Sequence, residues 1–125
     1  MFVLDVMSRV PIYEQLCEQV EKLVLVGVLS AGDQLPSVRA LSCELSVNPN
    51  TVQKAYTDLI QKGVLCAVPG KGCFVAPDAV AVLQNHNRER LTAFADLVKD
   101  LRLAGLPKEE LSAILDTIYT ERSDV

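Results

Sequence analysis

The chain has 125 residues, half of them hydrophobic, which is enough apolar material for one or two small domains that fold unaided. No apolar run approaches the roughly 20 residues of a transmembrane helix, and Met1-Phe2-Val3-Leu4-Asp5 lacks the basic leader of a secretory signal, so a cytoplasmic protein with no membrane partner is expected. Twelve basic residues against 16 acidic ones give a net charge of −4, which argues against a uniformly basic nucleic-acid binder and leaves only a local basic face to look for.

Residues 1–10 read as an N-terminal arm or short strand, with Phe2-Val3-Leu4 as its apolar part. From Pro11 to Val26, Ile12, Leu16, Val20, Leu23 and Val24 recur at helical spacing and Gly27 closes the helix. Glu14, Glu18 and Glu21 fall on its wetter side. They are a solvated face, because no partner acid or pocket accompanies them.

The stretch from Ser37 to Lys62 then reads as two helices joined by a turn too short for antiparallel packing, the spacing of a helix-turn-helix. Ser37 is placed to cap the first helix, whose inward stripe is Val38, Leu41 and Leu45. Ser46-Val47-Asn48 breaks the pattern. Asn48 is a good cap for the next helix, and Pro49 suits its first turn, where a missing amide hydrogen costs nothing. In this second helix Val52, Ala55, Tyr56, Leu59 and Ile60 form the buried side. Asn50, Lys54, Thr57 and Gln61 lie opposite, with Thr51 and Gln53 on the flanks. Asn and Gln pair bidentately with adenine edges in the major groove, Thr meets a base or a thymine methyl, and Lys meets guanine or phosphate. On this helix alone a solvated face and a DNA-reading face are both open.

The next segment weighs toward the second. Val64 to Ala67 and Cys73 to Ala76 are short strands around a turn, Val68-Pro69-Gly70-Lys71-Gly72, and so form a β-hairpin. A hairpin directly after the recognition helix makes a winged helix. Its tip carries one cation, Lys71, between Gly70 and Gly72, which allow close approach to a nucleic-acid backbone. Between Gln34 and Gly72 the basic residues are Arg39, Lys54, Lys62 and Lys71 and the acidic ones Glu44 and Asp58, so this region is mildly positive. Few phosphate contacts per subunit follow, and affinity from one subunit should be poor.

After Ala76-Pro77-Asp78 a helical pattern runs from about Asn87 to Ala104 with Leu91, Phe94, Leu97, Val98 and Leu101 on one side, ended by Gly105. A second helix follows Pro107, with Glu109 and Glu110 in its first turn and a stripe of Leu111, Ile114, Leu115 and Ile118. Two amphipathic helices of this length cannot enclose a core, so their stripes pack on a second copy of the chain or on the first helix of their own. The favoured reading is a homodimer.

Pro11-Ile12-Tyr13-Glu14-Gln15-Leu16, Gly32-Asp33-Gln34-Leu35-Pro36-Ser37-x-Arg39-x-Leu41, Val47-Asn48-Pro49-Asn50-Thr51-Val52, Gly63 and Gly70-Lys71-Gly72-x-Phe74-Val75 occur in order, and over Pro11 to Pro77 the chain resembles the GntR family of bacterial transcriptional regulators. With its short tail it is similar to the YtrA-type subfamily. The resemblance implies that the arginine of Pro-Ser-x-Arg, the first turn of the recognition helix and the wing tip meet double-stranded DNA. Those positions are here Arg39, Asn50, Thr51, Gln53 and Gly70, Lys71 and Gly72, with Lys54 adding charge. It also implies repression, dimerisation through the tail, a transporter operon as a target class and response to a small-molecule effector, for which no residue singles out a ligand. Several better-known members carry an arginine early in the recognition helix, where this chain has Pro49.

The four cysteines, at 17, 43, 66 and 73, contain no Cys-x-x-Cys pair, and His86, the single histidine, stands apart from them. No metal site, cofactor or catalytic group is expected. Cys66 and Cys73 lie on the two strands of the wing, and if they face one another a disulfide there would make DNA binding sensitive to oxidation. The expected fold is mainly α with a small β-hairpin wing: a winged helix-turn-helix over residues 11–78 and a two-helix dimerisation tail over 79–125. The expected function is that of a sequence-specific DNA-binding transcriptional regulator and not an enzyme. The competing reading is a winged-helix module for protein–protein interaction.

Overall fold

The computed structural model describes residues 2–121. Among them are six helices and one hairpin: α1 Ile12–Leu25, α2 Val38–Leu45, α3 Pro49–Lys62, β1 Leu65–Val68, β2 Gly72–Val75, α4 Ala79–Arg88, α5 Arg90–Leu103 and α6 Lys108–Thr120. Packing divides the chain into two units between Gln84 and Asn85.

The first unit is built around α3. Val52, Ala55, Tyr56 and Leu59 recur every three or four residues and are all buried, as that spacing predicts; Ile60 is half-buried. They share one core with Leu16, Val20 and Val24 of α1, Leu41 of α2, and Val64, Leu65 and Val75 of the hairpin. Each valine or leucine among them contributes about 1.5 to 3 kcal/mol on removal from water, so α3 is fixed by its greasy side whatever its other side does. Phe2 also joins this core. The arm is held without strand pairing: Gln15 accepts from the Asp5 amide and donates to the carbonyls of Asp5 and Val10, while Gln19 brackets Val3 through its amide and carbonyl.

The hairpin is antiparallel with Leu65 opposite Val75, Cys66 opposite Phe74, Ala67 opposite Cys73 and Val68 opposite Gly72. Directly opposed residues share a face and successive ones alternate, so Cys66 and Cys73 point to opposite faces of the wing. The disulfide envisaged from the sequence does not fit this register, and both thiols are free. The segment before α2 adds itself to the outer edge of β2. Gly32 donates to the carbonyl of Val75, Val75 to that of Asp33, and Leu35 to that of Cys73, with Gln34 bridged to Phe74.

A helix missing from the sequence reading, α4, follows directly on the hairpin. Ala79 and Leu83 are buried in the core of the first unit and Val82 packs against it. Its sequence, AVAVLQNHNR, mixes good helix formers (Ala, Leu, Gln, Arg) with poorer ones (Val, Asn, His), and its core-facing residues Ala79, Val82 and Leu83 stand at helical spacing. The residues after 78 therefore form three helices instead of two.

In the second unit, Gly105 at φ +93° ends α5, with the Leu106 amide donating to the Leu101 carbonyl and that of Gly105 to Arg102. No residue of α5 or α6 is buried.

Candidate nucleic-acid interface

The helix-turn-helix is set by its caps. The Ser37 hydroxyl accepts from the Ala40 amide at 3.0 Å and starts α2. Ser46 takes a left-handed conformation, φ 55° and ψ 43°, and lets Val47 donate back to Ser42. Two residues on, the Asn48 side chain accepts from the Asn50 amide at 2.8 Å with Pro49 at the first position of α3. The turn is thus three residues long, and every one has a geometric task.

With one side of α3 committed to the core, Asn50, Gln53, Lys54, Thr57 and Gln61 are exposed and Thr51 is half-exposed. Gln53 donates one amide hydrogen to the Thr57 hydroxyl at 3.2 Å. Its second hydrogen and its oxygen are the pair that an adenine edge takes. Lys54 is placed differently from its neighbours: its ammonium sits 3.8 Å from the centre of the Tyr13 ring on α1. Lys62 pairs with Glu21 at 2.7 Å, spending its charge on the α1–α3 contact. Arg39, on the exposed side of α2, and Lys71, at the wing tip, are both exposed. The basic residues of the region thus divide into two held against α1 and two standing out.

At the wing tip the Lys71 amide donates to the Val68 carbonyl at 3.0 Å, closing a turn with Pro69 and Gly70 in its centre. Gly70 has φ +76°, the conformation that such a turn requires of its second central residue. The Gln34 side chain donates to the Lys71 carbonyl at 2.9 Å. On the other side of this loop the Tyr56 hydroxyl donates to the Pro36 carbonyl at 2.7 Å, and burial pushes that phenol well above its usual range. The sequence reading assigned no role to Tyr13 or Gln34. Neither lies on a periodic stripe of the helix-turn-helix, so only their contacts bring them out.

Two of the four thiols are held in the protonated form. Cys17 is pushed from 9.0 to about 11, first by burial and then by the carboxylates of Asp58 and Glu21, and burial also raises Cys73. Among the described residues no three His, Cys, Asp or Glu side chains gather as metal ligands would.

A helix-turn-helix with a following hairpin and an uncommitted polar recognition face is a winged-helix domain of the DNA-binding kind. The family model for bacterial regulatory proteins of the gntR family matches residues 12–75. Over 112 residues the chain is 36% identical to the HTH-type transcriptional repressor YtrA of Bacillus subtilis, covering 89% of this chain and 86% of that protein. The structure is similar to that of a transcriptional regulator from Oenococcus oeni, with a TM-score of 0.75 and 32% identity over 95% of this chain and 99% of the other. It also matches the AraR DNA-binding domain in complex with operator ORX1, with a TM-score of 0.53 and 28% identity over 60% of this chain and 93% of that one. The chain belongs to the GntR family, in its YtrA-type branch, and is a DNA-binding transcriptional regulator.

Proposed function

We propose that the protein is a homodimeric repressor that occupies an inverted-repeat operator and excludes polymerase from it. The observation that carries the DNA contact is α3 itself: a fourteen-residue helix whose apolar side is buried and whose amide, hydroxyl and ammonium side is open to solvent. Asn50, Thr51 and Gln53 would read base edges from the first turns, Arg39 would hold phosphate or a guanine edge, and the Gly70-Lys71-Gly72 tip would lie on the backbone or in the minor groove. Lys54, stacked on Tyr13, would add charge at the margin of the site. Repression is taken from the similarity to the YtrA repressor.

The tail supports the dimer. Phe94, Leu97, Leu115 and Ile118 are between 42 and 56% exposed, and with Val98, Leu101, Leu111 and Ile114 they line an apolar groove of about 430 Å³ between α5 and α6. Leu91 stands beside it at 62% exposure. An apolar face of this kind on a short helical pair calls for a partner, and a second copy supplies an identical face. Two-fold pairing would bring two recognition helices to half-sites roughly 34 to 36 Å apart.

Mobility shift of the protein's own promoter region, with light scattering to give the mass in solution, tests both parts. Retardation by a dimer at low salt, weakening as salt rises, is expected. A monomer indifferent to every duplex would overturn the proposal and leave a protein-interaction module in its place.

A further inference from the structure

A side chain from outside the wing reaches the backbone of its tip. Gln34 lies in the loop before α2, paired along the edge of β2, and its Nε2 donates to the carbonyl of Lys71 at 2.9 Å. Gly72 is shaped around this contact. Its φ is +126°, and a Cβ built there would stand 2.8 Å from the same Nε2, so any side chain at 72 would displace the amide. The loop is anchored at its other end by the hydrogen bond from Tyr56 on α3 to Pro36. The Gln34 to Pro36 segment thus joins the recognition helix to the tip of the wing.

We propose that Gln34 is a positioning residue, which sets where the Lys71 ammonium starts from relative to α3 so that wing and recognition helix meet one duplex together. The inference rests on the DNA-binding reading of the wing. The strands of the wing are packed on the core and paired with residues 32–35, whereas Pro69, Gly70, Lys71 and Gly72 at the tip are exposed; fixing the tip backbone before binding removes an ordering cost that affinity would otherwise bear.

Gln34→Met keeps the length of the side chain and removes its donors. In the free protein, the ¹⁵N heteronuclear NOE values of Gly70, Lys71 and Gly72 should fall in this variant while those of α3 stay unchanged; wild-type values at the tip would overturn the proposal. On the duplex selected by the wild-type protein, affinity should drop by about three- to tenfold, with a shallower salt dependence like that of Lys71→Ala. In a Lys71→Ala background the same change should add nothing. An equal loss with and without Lys71 would mean that Gln34 acts on its own account, and the proposal would fall. Gln34→Glu, which sets an acceptor against the carbonyl, should loosen the tip in the same way and serves if Gln34→Met folds poorly. Failure of the wild type to bind any duplex would sink the DNA reading, yet the NOE comparison would still decide the clamp.

Discussion

Arg39 and Lys71 differ in what they are placed to do, although both are exposed cations at the proposed interface. A guanidinium makes a bidentate contact with a guanine edge or a phosphate, so Arg39→Ala should cost about 1 to 3 kcal/mol of operator affinity, read by fluorescence anisotropy. Affinity within experimental error of wild type would remove Arg39 from the site. An ammonium on a turn acts as a point charge, and Lys71→Ala should lower the slope of log affinity against log salt by about 1, with little change in sequence preference. An unchanged slope would place the wing away from phosphate. The thiols form a second contrast. With its pKa raised to about 11, Cys17 at pH 8 should react with iodoacetamide about a hundredfold more slowly than in the urea-unfolded chain, and its rate should climb as pH rises toward 11. Exposed Cys43 should be modified first. Peptide mass spectrometry after timed labelling checks the order, and equal rates for Cys17 and Cys43 would contradict the burial.

Among the elements, α4 tests how the first unit is bounded. Leu83 is fully buried, and Leu83→Ala should destabilise that unit by about 2 to 5 kcal/mol in urea unfolding, the loss of a packed core leucine. A cost below about 1 kcal/mol would mean that α4 is an appendage. The helix-turn-helix was legible in the sequence because its signals are local: Ser37 and Asn48 occupy caps, Pro49 a first helical turn, and the apolar residues of α3 one face. The wing was legible as two strands and a turn, but not in register. Shifting the pairing by one residue decides whether Cys66 meets Cys73 or Phe74, and the sequence of the turn does not fix that shift.

For the molecule as a whole, the proposed function turns on self-association. One winged helix has few cations for phosphate, and two of the four between Gln34 and Gly72 are engaged with α1. Pairing doubles the contacts without adding charge to the chain. Leu97→Asp, on the apolar groove of the tail, should yield a monomer by light scattering and lower operator affinity by more than tenfold, because a carboxylate cannot be buried there unpaired. A Leu97→Asp protein that remains dimeric would move the interface elsewhere. No helix among the described residues is long and apolar enough to cross a membrane.

The sequence by itself determined the helix-turn-helix, its caps, the buried side of α3, the presence of a wing and the family, because each depends on neighbours a few residues apart. Tertiary structure alone decided the rest: that Cys66 and Cys73 face apart, that Lys54 rests on Tyr13 and that Gln34 donates to the Lys71 carbonyl. Those outcomes come from contacts between residues distant in the chain, whose free energies of packing and hydrogen bonding leave no periodic trace in the order of amino acids.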